Sequence, residues 1–143
     1  VRIVLDTNVV LSALLWRGTP YRLLEAIRQR GEVELVSSAA LLEELADVLT
    51  RQSPAKRLAV IGKTAQAVLA DYVEIVDVVA PTEVPRVVPH DADDDHVIAA
   101  AVAGGAELIV SGDSDLLGIG SHQGVGIVSA AEAVRRLEER DPT

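Results

Sequence analysis

The 143-residue sequence contains no cysteine, no methionine and no phenylalanine, and its only aromatics are one tryptophan and two tyrosines. Without thiols there is no disulfide framework and no thiolate metal site, as suits a reducing compartment. Without Phe and Met, any core must be built from Leu, Val, Ile and Ala. No stretch approaches the ~20 apolar residues that cross a bilayer, which excludes a membrane role. The first residues already read as a strand, so no secretory leader is expected and the location expected is the cytoplasm. Positive charge is also scarce. Thirteen Lys and Arg face 22 Asp and Glu, a formal net charge of −9. That argues against a simple electrostatic nucleic-acid binder. It leaves room for a site that gathers carboxylates around a cation and needs only a local basic rim.

What is present is aliphatic and ordered. Hydrophobic residues make up 49% of the chain, and the length favours one domain, residues 1–143, with about 138–143 as a fraying tail. Ile3-Val4-Leu5 is a short β-branched run, too short for a helix. A helix follows from Val9 to Leu15, broken at Trp16-Arg17-Gly18-Thr19-Pro20. Leu23, Leu24 and Ile27 give a second helix, with Thr19 as cap and Pro20 at its first position. Val33–Ser37 reads as strand two. Ser38 caps an amphipathic helix carrying Leu41, Leu42, Leu45, Val48 and Leu49. Two helical stretches, about 54–61 and 64–72, precede a third strand, Glu74–Val79. Ala80–Pro89 reads as a surface loop. An acidic run, residues 90–96, leads into an Ala-rich helix, Val97–Ala103, ended by Gly104-Gly105. Strand four is Glu107–Ser111 and strand five Val125–Val128. Gly118, Gly120, Gly124 and Gly126 read as a flexible connection, not a phosphate cradle. Ser129 caps a final helix. Strands alternating with helices predict an α/β fold, one parallel sheet covered on both faces.

Asp6-Thr7-Asn8 ends strand one. A carboxylate there sits where open α/β sheets place ligands, although Asp6 or Thr7 also suits a plain helix cap. Asp113 and Asp115 repeat the geometry after strand four. In a parallel sheet all carboxyl ends share one edge, so Asp6 and the Asp113/Asp115 pair share it whatever the strand order. Four acids, Asp91, Asp93, Asp94 and Asp95, precede the Ala-rich helix. One cap explains one of them; two carboxylates 4 Å apart cost roughly 4 kcal/mol at an effective dielectric near 20. Asp95 falls on the inward side of that helix by its spacing to Ile98 and Val102, with Asp93 and Asp94 more outward. Glu44 borders the apolar stripe of its helix. His90, His96 and His122 lack metal-ligand spacing. Carboxylates without Cys or paired His suit Mg²⁺ or Mn²⁺, and Arg17, Arg22, Arg51, Lys56 and Arg57 are candidates for phosphate contacts.

These residues together resemble the PIN-domain ribonucleases. The resemblance lies in Leu5-Asp6-Thr7-Asn8, Glu44-Leu45, Asp95 with Ile98-Ala99-Ala100, and Leu108 to Leu117 with Asp113 and Asp115. It covers nearly the whole chain in order and is closest to VapC-type toxins of toxin–antitoxin pairs. It implies a three-layer α/β/α fold with strand order 3-2-1-4-5, divalent-metal-dependent cleavage of single-stranded RNA, and a homodimer with a small antitoxin partner. It assigns Asp6, Glu44, Asp95, Asp113 and Asp115 as catalytic acids, with Asp6, Asp95, Asp113 and Asp115 on the metal. Thr7, Asn8 and Ser111 match polar positions that steady them. Two other readings remain at this level. One is a catalytically inactive relative that only binds. The other is an aspartate-based phosphotransfer domain, against which stand Asn8 in place of a second Asp and the helical placing of Lys56 and Lys63.

Overall fold

The computed structural model describes residues 1–81 and 92–140, the side chains of residues 92, 93 and 140 excepted. The chain runs β1 (Arg2–Leu5), α1 (Thr7–Leu15), α2 (Thr19–Arg28), β2 (Glu34–Ser38), α3 (Ala39–Val48), α4 (Gln52–Ile61), α5 (Ala65–Ile75) and β3 (Val76–Val79). It continues with α6 (Ala92–Ala103), β4 (Leu108–Val110), α7 (Ser114–Ile119), β5 (Ser121–His122), β6 (Val125–Val128) and α8 (Ala130–Arg140).

The sheet order is β3-β2-β1-β4-β6-β5. Pairing is parallel throughout except at the outer β5–β6 ladder. The strand expected as fifth, Val125–Val128, lies where strand order 3-2-1-4-5 puts it, beside β4. The difference is the two-residue β5 that folds back on its outer side. It forms because Gly120 and Gly124 take positive φ, 75° and 84°, and turn the chain twice within five residues. The glycine-rich connection is therefore ordered, and α7 occupies its first part. Strand three is also shorter than expected. Glu74 and Ile75 stay in α5, which passes into β3 without a loop.

Period-two alternation divides the core. Ile3, Leu5, Leu35 and Val110 face α1, α2, α3, α5 and α8, while Val4, Val36, Ile109 and Ile127 face α6 and α7. Both faces are buried, as parallel sheets require. The Ala-rich character of α6 has a packing reason. Ala100 and Ala101 are buried in the cluster that holds Val4, Val36 and Ile109 of the sheet, and small side chains let the helix axis approach. At its end the approach is closest: a Cβ on Gly104 would stand 2.6 Å from Val36 Cγ1. No helix among the described residues is long and apolar enough to cross a membrane.

The orientation of α6 decides where its acids go. Its carboxyl end meets the start of β1, where Arg2 Nε donates to the Gly104 carbonyl at 2.5 Å. Twelve helical residues at ~1.5 Å rise reach about 18 Å. Four strand residues at ~3.3 Å cover about 13 Å. The first turn of α6 thus comes level with the carboxyl end of β1.

Candidate active site at the carboxyl edge

Asp6 follows directly on the last residue of β1. Its N–H donates to the Val110 carbonyl of β4 at 2.9 Å, so the sheet ladder itself fixes the backbone. Its φ and ψ, −62° and 151°, are those of a helix N-cap. Oδ1 accepts the Thr7 N–H at 2.8 Å, and Oδ2 accepts the Ser111 hydroxyl at 2.8 Å. Cap and ligand were posed as alternatives from the sequence. The geometry shows the cap, and shows the same carboxylate reaching beyond its own helix to Ser111.

Ser111 is wholly buried and connects two acids. Its hydroxyl donates to Asp6 and accepts the Asp113 N–H at 2.9 Å. Asp113 in turn caps α7, its Oδ1 accepting the Asp115 N–H at 2.7 Å. One polar chain thus runs from Asp6 through Ser111 to Asp113 and Asp115. The side chains differ in depth along it: Asp6 is 6% exposed, Asp113 intermediate and Asp115 on the surface. Asp113 therefore stands nearer the buried acid than Asp115 does.

Asp95 is wholly buried, as its spacing to Ile98 and Val102 implied. Asp94 is not outward as expected: it is 4% exposed. The helix starts at Ala92 within the acidic run, and α6 is covered on two sides, by the sheet and by α3. Positions 94 and 95, about 100° apart on a helix of 3.6 residues per turn, both fall under that cover. The register of an apolar stripe finds a helix's inward centre but not how wide its buried sector is. The Asp93 side chain, Asp91 and His90 lie outside the described residues, as does most of the expected loop Ala80–Pro89.

Glu44 is half-buried on α3, which packs against α1, α5, α6 and β2. Ser38, the cap of that helix, is buried at the carboxyl end of β2 and accepts the Leu41 N–H at 3.3 Å. Thr7 is buried and serves Asp6 through its N–H; its hydroxyl has no hydrogen-bond partner among the described residues. Asn8 is exposed. His96 is half-buried on α6, and His122 lies in β5 beyond β6.

The edge thus carries three buried carboxylates, on Asp6, Asp94 and Asp95. The donor set is oxygen throughout, the chemistry of Mg²⁺, Mn²⁺ or Ca²⁺ sites rather than of zinc. Among the described residues no three Asp, Glu or His side chains stand in a preformed metal-holding cluster. The donor chemistry fits a hard cation; the close convergence of ligands is not built in advance. A cavity of about 520 Å³ opens at the other edge, between α2, β2 and the α5–β3 junction, and has no part in this arrangement.

Of the basic candidates, two have structural tasks. Arg57 Nε donates to the Leu15 carbonyl at 2.7 Å, closing the end of α1, and Arg51 faces Asp47 at 3.4 Å. Arg17 stacks over the Tyr21 ring at 5.1 Å. Arg22 and Lys56 are exposed.

Similarity to known proteins follows the same outline. The chain superposes on a structure of VapBC2 from Rickettsia felis bound to a DNA fragment from their promoter. The TM-score is 0.62 at 14% identity, over 89% of this chain and 97% of that one. It superposes on VapBC-1 from nontypeable Haemophilus influenzae with a TM-score of 0.61 at 16% identity, over 92% and 99%. Such identities speak to the fold. No curated protein matches the chain. The PIN-domain profile matches residues 2–115, a span from β1 into α7 that holds Asp6, Glu44, Asp95, Asp113 and Asp115. The chain belongs to the PIN-domain family.

Proposed function

We propose that the chain is a divalent-metal-dependent endoribonuclease that cleaves single-stranded RNA, and that it is the toxin of a toxin–antitoxin pair. The observation that carries the chemistry is the hydrogen-bonded chain Asp6–Ser111–Asp113, set on the same edge as buried Asp94 and Asp95. Asp6, Asp95 and Asp113 would hold Mg²⁺ or Mn²⁺, with Asp115 as a further acid from the exposed side. Such an ion supplies charge stabilisation at the phosphate and an activated water.

The chain's own residues supply orientation. The Thr7 N–H and the Ser111 hydroxyl each hold one Asp6 oxygen. One comes from each side of the carboxyl group, so together they fix its plane. The first turn of α6 adds the positive end of a helix dipole beside Asp94 and Asp95. Glu44 on the neighbouring α3 would orient a water. In-line attack then leaves 5′-phosphate and 3′-hydroxyl ends. The toxin reading rests on family membership and on the VapBC proteins that share the fold. It brings with it a small antitoxin partner, a homodimer and a cytoplasmic location.

The test is cleavage of an unstructured RNA with Mg²⁺, Mn²⁺ and EDTA, comparing wild type with Asp6→Asn and Asp95→Asn. Metal-dependent cleavage lost in both variants is the expected result. Cleavage that survives in EDTA, or none with either ion, would remove the enzyme reading. Gel filtration tests the dimer separately.

A further inference from the structure

We infer that the α1–α2 turn and the outer face of α4 form one surface that holds single-stranded RNA beyond the acid edge. Two segments of this acidic chain combine an absence of carboxylates with most of its clustered cations. Residues 9–24 and 48–70 hold none of its 22 Asp and Glu but six of its 13 cations: Arg17, Arg22, Arg51, Lys56, Arg57 and Lys63. A third acid-free stretch, residues 116–131, holds no Lys or Arg, so the cations without nearby acids in sequence concentrate in these two.

The fold joins the two segments. α4 packs on α1, and the Arg57–Leu15 hydrogen bond fastens it one residue from Trp16. Arg2, Arg28, Arg51, Arg135 and Arg136 stand in ion pairs. Among the described residues, Arg17, Arg22, Lys56 and Lys63 are in none of them. Of the acids that flank the two segments, Glu25 is paired with Arg28 and Asp47 with Arg51.

Aromatic surface lies among these cations. Trp16, the chain's single tryptophan, is 38% exposed. Beside it Arg17 lies over Tyr21, giving a second flat group. Lys56 and Val60 share the outward face of α4 one turn apart, Val60 at 75% exposure. Cations that track a backbone, interleaved with flat groups on which bases stack, are what a single strand needs. A duplex hides its base faces and cannot use Trp16.

The surface also has a defined relation to the acids. α1 begins at Asp6 and ends at Trp16, nine helical residues or about 13 Å along the axis. A strand crossing Asp6 and following α1 reaches the turn within a few nucleotides. Naming the ligand as RNA rests on the ribonuclease reading; the surface itself rests on charge and exposure.

Trp16 provides the readout. Metal-free protein is titrated with an unstructured RNA of about 12 nucleotides, a usual span for such sites, while Trp16 fluorescence is followed at several salt concentrations. The expected result is saturable quenching whose log–log salt dependence approaches about −3, four cations at roughly −0.7 each. Lys56→Gln and Arg22→Gln, both at exposed positions, each flatten the slope by about 0.7 and weaken binding about fivefold at 0.1 M salt. Equal quenching by duplex RNA, or no effect of the two variants, overturns the inference. So does displacement of the RNA by polyglutamate at matched charge, which would assign the surface to an acidic protein segment. Mn²⁺-supported cleavage on the same preparations separates the two readings. Quenching without cleavage leaves the surface standing and removes the ribonuclease. Cleavage without quenching removes the surface and leaves the ribonuclease.

Discussion

The two edges of the sheet hold similar acids and compensate them in opposite ways. At the amino edge, Arg2 reaches across three strands. Nη1 meets Glu34 at 2.5 Å on β2 and Nη2 meets Asp77 at 2.6 Å on β3, while Nε caps the Gly104 carbonyl. The guanidinium pKa is raised, first by the Asp77 hydrogen bond and then by the surrounding negative charge, against a desolvation that lowers it. Glu34 and Asp77 are more than half exposed. At the carboxyl edge Asp6, Asp94 and Asp95 are buried, and the Thr7 N–H and the Ser111 hydroxyl orient Asp6. The first edge closes the sheet with charge already matched. The second ties Asp6 to Asp113 through the Ser111 hydroxyl and sets buried Asp94 and Asp95 at the first turn of α6.

Asp6→Asn breaks that contrast most directly. Asn caps a helix about as well as Asp, so the local fold survives, and one buried negative charge disappears. Cleavage should fall by at least about 10²–10³-fold, the scale of losing one transition-state-stabilising group, and thermal stability without metal should hold or rise. Parallel melting and cleavage curves settle it. A variant that melts much earlier and is inactive for that reason would make Asp6 a structural cap.

Ser111→Ala tests the positioning at the same edge. It strips a donor from Asp6 and leaves the Asp113 N–H without its acceptor. A buried group left unsatisfied costs about 1–3 kcal/mol, readable in urea unfolding. Metal affinity should weaken as well, because the hydroxyl fixes the Asp6 plane. Unchanged Mn²⁺ affinity alongside lost stability would reduce Ser111 to a packing role.

The sequence made much of this legible because it followed local rules. The apolar run at Ile3–Leu5 had only one way to be buried, and parallel pairing sent its Asp6 to the edge that receives Asp113. Ser38 and Thr64 cap the helices that follow them, α3 and α5, through a side-chain oxygen. What the sequence did not show depended on tertiary cover. Asp94 is buried because α3 and the sheet flank α6 together, which no helical wheel contains. β5 exists because two glycines turn the chain back, and pairing across a two-residue strand leaves almost no hydrophobic pattern. Thr19 was expected as a cap but lies inside α2, whose N-cap is Gly18. The tasks of Arg57 and Arg51 were invisible for the same reason: a side chain's partner lies on another turn or another helix.

Arg2→Met perturbs the other edge and should do less. It leaves Glu34 and Asp77 facing each other and removes the donor to Gly104, at a cost of about 1 kcal/mol for a part-exposed charged hydrogen bond. Raising ionic strength should narrow the gap between variant and wild type, since screening weakens the uncovered repulsion. Cleavage by the folded protein should be unaffected. A loss of activity larger than the loss of folded protein would mean that α6 transmits the change along its length to Asp94 and Asp95, and the edges would not be independent.

The smallest effect belongs to an acid compensated, as at the amino edge, by arginine, but within one helix. Glu132, in the first turn of α8, accepts from Arg135 at 2.5 Å and Arg136 at 3.0 Å. Those bonds, that of Arg135 foremost, bring its pKa down from 4.5 to about 2. A folded-state pKa below the unfolded one gives stability that is fully present above pH 4.5 and is lost as pH falls toward 2. Solvent screens exposed pairs, so the amount is slight. Melting temperatures of wild type and Glu132→Gln should differ slightly near neutrality and converge across that interval. A gap that persists unchanged to pH 2 would show that the side chain acts through the helix terminus by shape and hydrogen bonding, and that its charge is immaterial.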